Sequence, residues 1–275
     1  MAAVDSRGEV LDVQPLPLPY FLLRVRVAAM EPAEPGQFVM VAGANRPEPY
    51  LRRAFSVYDQ EAASDGSLVI SLLGKVIGCG TEALAACVPG ERIPVLGPLG
   101  TGFHSVAAGI SGSGGSESGR AALVAGGIGS AGLGLLAQVL ERSGRPFDFF
   151  YGGRSAEDLV EAETFRRLSE RSGGRLVKTT EDGSAGERGL ITTALEAEVR
   201  AGAGYTTVCT CGPHGLMAAV AGIAAAGGVA GEAATETPMG CGYGACLGCA
   251  VTLKNGGYAL CCRQGPVFRL DELAW

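Results

Sequence analysis

Between Met239 and Cys249 the chain reads Met-Gly-Cys-Gly-Tyr-Gly-Ala-Cys-Leu-Gly-Cys, and two more cysteines follow at Cys261 and Cys262. With Cys262 the spacing is Cys241-x4-Cys246-x2-Cys249-x12-Cys262, the C-x4-C-x2-C…C pattern of plant-type [2Fe–2S] sites. A loop that delivers three thiolates to one compact group must wrap closely, and Gly242, Gly244 and Gly248 permit that approach. The tail from about Thr235 is too short to fold without such a staple. A structural zinc site also uses four thiolates, but usually in paired C-x2–4-C units, whereas this arrangement is three plus one. Cys261 and Cys262 compete for the fourth place. Adjacent residues of an extended segment point to opposite sides, so one of them is expected to ligate, and spacing alone does not choose.

At 275 residues the chain suits two domains plus a small appendage, and 47% hydrophobic content supports large buried cores. A net charge of −6 without a basic cluster argues against a general nucleic-acid binder. His104 and His214 are the two histidines, which leaves little scope for histidine-based metal or triad chemistry. The N-terminal residues do not read as a signal peptide. Ala121 to Leu140 and Gly215 to Gly231 carry no charge, yet their glycines and lengths read as α/β core and not as membrane spans. The cytoplasm is the expected location. Nine cysteines in a reducing compartment point to metal or redox work in preference to disulfides.

The first ~100 residues read as β-rich. Leu22–Val27, Gln37–Val41, Phe55–Tyr58 and Leu68–Leu73 are short strand candidates punctuated by glycine and proline, a pattern that predicts an antiparallel barrel. Residues 105–119 are a Gly/Ser-rich run with the composition of a flexible linker. Beyond it, strands are expected at Ala121–Ala125, Phe147–Tyr151, Leu176–Thr180 and Thr206–Cys211, alternating with helices as in a parallel sheet.

Three further motifs carry chemistry. Gly127, Gly129 and Gly132 make a G-x-G-x-x-G after an apolar strand and before a helix, the context in which a nucleotide diphosphate sits on a helix N-terminus. A structural turn is the alternative in so glycine-rich a chain. No acidic ribose-binding residue is evident, and Arg154 after the second strand suits a 2′-phosphate, so NAD versus NADP stays open. Arg52-Arg-Ala-Phe-Ser56 sets cations and a hydroxyl beside a strand, and Gly78-Cys-Gly-Thr81 opens a helix with free backbone N–H groups. Each alone reads equally as a surface arginine pair or a plain turn; their order along the chain strengthens both.

These residues resemble the electron-transfer subunits of the two-subunit, NAD-linked dihydroorotate dehydrogenases, within the ferredoxin-reductase superfamily. The resemblance spans nearly the whole chain apart from the 105–119 insert. It is most specific in Met239 to Cys249 and in Cys262-Arg-Gln-Gly-Pro-Val-Phe268, with support from Thr180-Glu-Asp-Gly-Ser-Ala-Gly-Glu-Arg-Gly-Leu-Ile-Thr192 and Cys211-Gly-Pro213. It implies a β + α/β fold: an antiparallel FAD-binding β-barrel (1–103), a linker (104–119), a parallel-sheet NAD(P)-binding domain (120–232) and a small [2Fe–2S] domain (233–275). It implies FAD contacts from Arg53, Ala54, Phe55, Ser56, Leu73, Gly74, Lys75, Gly80 and Thr81. It implies a nicotinamide-nucleotide site at Gly126, Gly127, Ile128 and Gly129, with Cys211 beside the reactive ring. The cluster ligands it implies are Cys241, Cys246, Cys249 and Cys262, which leaves Cys261 at a position that is usually apolar in the family. The chain departs from the pattern at Ala54-Phe55, where the family commonly has proline and an aliphatic residue, and at Cys79, which replaces a basic residue.

The implied function is an electron relay. Electrons from dihydroorotate, oxidised to orotate at an FMN on a separate catalytic subunit, reach NAD⁺ through the [2Fe–2S] cluster and FAD, in pyrimidine (UMP) biosynthesis. The implied assembly holds two copies of each subunit, without nucleic acid or membrane. Two alternatives remain: the flavin/iron–sulfur subunit of a hydrogenase or ferredoxin–NADP transhydrogenase, and a zinc-stapled nucleotide-binding module without redox activity.

Overall fold

The computed structural model describes residues 3–43, 50–104 and 119–275; residues 105–118 of the expected linker lie outside the described residues. Among the described residues seven strands precede that gap: β1 Val4–Pro15, β2 Tyr20–Val27, β3 Phe38–Val41, β4 Arg53–Ser56, β5 Asp59–Ala62, β6 Leu68–Lys75 and β7 Arg92–Leu99. They form one antiparallel sheet in the order β4-β3-β7-β1-β2-β6-β5. In β2 the alternation is direct: Leu23, Val25 and Val27 are buried, while Arg24 and Arg26 on the outer face pair with Asp12, Glu61 and Glu9. The sheet curls into a half-barrel, so that Phe55 of β4 meets Phe21 of β2 with ring centroids 6.2 Å apart. Gly74 of β6 makes this possible, because a Cβ there would stand 2.5 Å from the Phe21 ring and 2.7 Å from that of Phe55.

The second sheet is built from β8 Arg120–Gly126, β9 Phe147–Gly153, β10 Leu176–Thr180, β11 Glu187–Arg188, β12 Tyr205–Cys211, β13 Ala230–Ala234 and β16 Val267–Arg269. Its order is β11-β10-β9-β8-β12-β13-β16, parallel except for β16. Helices Ser130–Arg142, Ala162–Arg171, Ile191–Arg200 and His214–Gly227 connect its strands. The chain moves from β8 outward to β9–β11, then returns to β8's other side with β12. The loops after β8 and β12 are therefore neighbours at the switch point of the sheet, where ligands of such folds bind.

The two sheets share one interface. Leu135 of helix Ser130–Arg142 joins the half-barrel core, and Tyr20, Tyr58 and Leu73 join the core of the second sheet. Gln138 Nε2 donates to the Tyr58 carbonyl at 3.3 Å across this seam. The cysteine-rich tail adds the hairpin β14 Ala250–Thr252 and β15 Tyr258–Leu260, then returns β16 to the second sheet. The same tail touches the half-barrel, since the Thr101 N–H donates to the Gly265 carbonyl at 2.6 Å. Among the described residues no helix is long and apolar enough to cross a membrane.

Candidate functional site

A cavity of about 950 Å³ opens at the switch point, walled by the Gly126–Gly129 turn, Gly212–Met217, Thr235–Thr237 and the chain end at Trp275. Gly126 closes β8, Gly127–Gly129 make a single 3₁₀ turn, and helix Ser130–Arg142 follows with no side chain capping its N-terminus. The Ser130 N–H is taken by the Gly127 carbonyl, so the N–H groups offered to an anion are those of the Gly127–Gly129 turn itself. The three glycines of the motif divide their work. Gly127 has φ +51° and open space where a Cβ would be, so it faces the cavity. A Cβ at Gly129 would overlap the Cys211 carbonyl, and one at Gly132 would stand 2.8 Å from Cys211 Sγ. Those two glycines let the first βα turn pack against the end of β12.

Cys211 lies under this turn, 1% exposed, and burial, reinforced by Glu236, pushes its thiol well above the ordinary value. Glu236 itself is open to the cavity but enclosed by protein mass, which raises its carboxyl pKa. At the opposite wall, Tyr20 donates to Asp158 Oδ1 at 2.7 Å, Lys75 Nζ lies 3.3 Å from the same oxygen, and Lys75 stands 4.9 Å over the Tyr20 ring. Burial opposes ionisation of Asp158, but Tyr20, Lys75 and the Arg154 N–H hold its carboxyl below the usual value. Tyr20 and Lys75 come from the first sheet and Asp158 from the segment after β9, so this cluster ties the two halves together at the mouth of the cavity.

The residues of β4 gather elsewhere. Arg53 lies against the Gly78–Thr81 turn; a Cβ at Gly80 would stand 2.5 Å from Arg53 Nε. A guanidinium beside a glycine turn fits a diphosphate. The Thr81 hydroxyl is occupied in shaping that turn, accepting from the Ile77 N–H at 2.9 Å and donating to the Gly78 carbonyl at 2.9 Å. Ser56 approaches Gly132 from the barrel side; its Oγ would lie 3.7 Å from a Cβ there.

The thiols form two pairs. Cys249 Sγ and Cys262 Sγ are 3.2 Å apart, and the Cys262 N–H points to Cys249 Sγ at 3.4 Å. The Cys246 N–H points to Cys241 Sγ at 3.5 Å. Burial opposes ionisation of Cys241, yet the N–H groups of Cys246, Tyr243 and Ala245 and the Cys246 thiol bring its pKa down to about 6. Burial, then the adjoining Cys249 thiol, push Cys262 up to about 12. Among the described residues no three His, Cys, Asp or Glu side chains converge on a single ion-sized centre. Two thiol pairs on and beside one glycine-rich loop fit the four-thiolate set of a two-iron group, a set that a tetrahedral zinc would share. Gly242 (φ +81°) and Gly244 (φ +87°) supply the left-handed turns of the wrapping loop.

Residues 236–274 match the iron–sulfur cluster binding domain of dihydroorotate dehydrogenase B, and residues 123–222 match the oxidoreductase NAD-binding domain. The dihydroorotate dehydrogenase B (NAD(+)) electron transfer subunit of Desulforamulus reducens is 33% identical over 246 residues, covering 88% of this chain and 87% of that one. The chain belongs to this family. The electron transfer subunit homolog of Aquifex aeolicus is 32% identical over 254 residues, covering 91% of this chain and 90% of its own. Among solved structures, an NADH-dependent reduced ferredoxin–NADP oxidoreductase superposes with TM-score 0.80 at 25% identity, covering 98% of this chain and 90% of that chain. A ferredoxin NADP⁺ reductase from Neisseria gonorrhoeae, solved with FAD and NADP, shares the fold with TM-score 0.62 at 18% identity, covering 82% of this chain and 92% of its own.

Of the residues expected from sequence, Lys75 and Gly126–Gly129 line the large cavity, with Cys211 buried beneath it. Arg53 and Gly80 come together at the half-barrel turn; Phe55 and Gly74 pack inside it. Leu73 lies in the shared core. Cys261 and Cys262 occupy a turn after β15 and not an extended segment, because the Arg263 and Gln264 N–H groups both return to the Leu260 carbonyl. Their thiols still diverge: Cys262 meets Cys249, whereas Cys261, fully buried, meets Thr235 Oγ1 at 3.3 Å. Glu181, within the Thr180–Thr192 stretch, also lines the cavity, whereas Tyr20, Asp158, Glu236, His214 and Trp275 were not foreseen as site residues. They reach the site by tertiary packing, and none carries a local motif.

Proposed function

We propose that the chain is the electron-transfer component of a dihydroorotate-oxidising complex in pyrimidine biosynthesis, exchanging a hydride with NAD(H) and single electrons with a catalytic partner. One observation carries the reading: the loop bearing two thiol pairs is fastened both to the nucleotide sheet through β16 and to the half-barrel through Gly265 and Thr101. When bound, FAD and a [2Fe–2S] cluster supply the conversion between two-electron and one-electron transfer that such an exchange needs.

The chain's own residues do the positioning. The Gly126–Gly129 turn receives the diphosphate of NAD(H), and Gly127 lets the backbone approach it. Buried Cys211 supports the Gly126–Gly129 turn from beneath, and so fixes the wall against which the reacting ring is oriented. Arg53 and the Gly78–Gly80 turn hold the flavin diphosphate, with Ser56 and Lys75 nearer the nucleotide cavity. Cys241 and Cys246 form one ligand pair, Cys249 and Cys262 the other. Dihydroorotate is oxidised on a partner subunit carrying FMN, in an assembly of two copies of each subunit. Nine free cysteines accord with a cytoplasmic setting.

A visible spectrum with flavin, iron, sulfide and zinc analysis of the anaerobically purified full chain tests the cofactors. Colourless protein holding zinc and no flavin would refute the proposal. Co-purification with an FMN-containing subunit, and orotate-dependent NADH oxidation by the pair, tests the substrate. The high coverage of the ferredoxin–NADP oxidoreductase structure supports a second reading, in which a ferredoxin-linked partner replaces the dihydroorotate-oxidising one. Ferredoxin-dependent NAD(P)H turnover without any orotate response would select it.

A further inference from the structure

Strands β3 and β4 form a hairpin in which Met40 faces Ala54 and Phe38 faces Ser56. Directly opposed residues of such a pair project from the same face, with Cβ atoms about 5 Å apart. That face is divided between the two expected cofactors. On β3, Phe38 and Met40 are buried against Leu99, Cys249, Cys261 and Cys262. On β4, Ala54 is exposed and Ser56 half-buried, and both belong to the flavin motif.

We infer that Met40 is the positioning residue that sets how closely the thiol loop approaches the flavin strand; the inference rests on the cofactor reading above. Met40 is fully buried, and the loop is fitted to it at Gly242. A Cβ on Gly242 would stand 2.5 Å from Met40 Cγ and 3.0 Å from its Sδ. The bare glycine therefore seats the loop directly on the thioether. Val39 and Val41, the alternate residues of β3, point into the half-barrel core and anchor the hairpin from behind. Met40 thus transmits a fixed strand position to the loop that carries Cys241 and Cys246.

The test uses the cofactor-loaded full chain, after confirming that wild type holds flavin, iron and sulfide. The protein is mixed anaerobically with NADH, whose hydride brings two electrons to the flavin, and flavin and cluster absorbance are followed separately. Met40→Ala is expected to keep the cofactor contents and the flavin phase while the cluster phase slows severalfold, because electron tunnelling weakens steeply as the gap widens. Met40→Leu, which keeps the volume, restores the wild-type rate. An unchanged cluster phase in Met40→Ala overturns the inference, whereas wild type lacking flavin or iron overturns the cofactor reading instead. Iron retention under a chelator gives an independent measure. Gly242→Ala loses iron faster than wild type, and Met40→Ala combined with Gly242→Ala recovers part of the loss by removing the overlap. A double variant no better than Gly242→Ala alone also overturns the inference.

Discussion

At the scale of single residues, neighbouring positions with the same chemistry do different work. Cys261 and Cys262 are both buried thiols, but one contacts Thr235 and the other Cys249. Cys262→Ser is expected to abolish the visible absorption of the cluster, while Cys261→Ser retains it; anaerobic absorption spectra of the two variants decide, and the reverse result would refute the ligand assignment. Gly127 and Gly132 differ in the same way. Gly127→Val places a side chain in the cavity mouth at φ +51°, costing about 1–2 kcal/mol of backbone strain and blocking the nucleotide. Gly132→Val would strike Cys211 in a packed seam and destabilise the fold by about 1–3 kcal/mol. NADH at about 100 times its dissociation constant should stabilise wild type by about 2.7 kcal/mol in thermal unfolding and leave Gly127→Val unmoved.

Asp158 gives the pH dependence. Its folded pKa lies below the ordinary 3.8, so the stability it contributes is present above that value and is lost as pH falls through the depressed folded pKa. Asp158→Asn removes this acid-side loss and, at neutral pH, costs about 1.5–3 kcal/mol through the charged hydrogen bond from Tyr20. Denaturant titrations of both proteins at a series of pH values check the two statements together. Wild type and variant with parallel pH profiles would exclude the proposed contribution.

Among the elements, legibility follows burial. β2 and β6 were expected because their alternation or apolar density is strong, and Leu123 to Ala125 announced β8 for the same reason. Strand β1 was missed: across Val4–Pro15 it buries few side chains, and its backbone pairing with β2 and β7 holds it in place. Strand β5, Asp-Gln-Glu-Ala, is polar and sits at a sheet edge, where propensity says little. β16 is three residues long and takes its identity from β13. Because it completes the nucleotide sheet, Leu270→Ala, which removes a side chain buried in that domain's core, should cost about 2–5 kcal/mol. The thiol loop and the α/β domain should then unfold together. Cluster absorbance and far-ultraviolet dichroism recorded through one denaturant titration test this, and two well-separated transitions would show that the tail folds independently.

For the whole molecule, the sequence alone determined the chemistry that local spacing can carry: three thiols on a glycine-rich loop with a fourth to follow, a glycine turn between strand and helix, and an arginine–serine strand ahead of both. Each motif spans few residues, so its reading needs no knowledge of the fold. It also determined the succession of β-rich, α/β and cysteine-rich segments, because hydrophobic periodicity is a property of consecutive residues. The tertiary structure alone decided which neighbours complete those motifs. It paired Cys262 with Cys249, put Asp158 between Tyr20 and Lys75, walled the cavity with Glu236 and Trp275, and seated Gly242 on Met40. Met40 and Gly242 lie 202 positions apart in the chain. Such contacts arise from sheet register and close packing between distant segments, for which no local pattern exists.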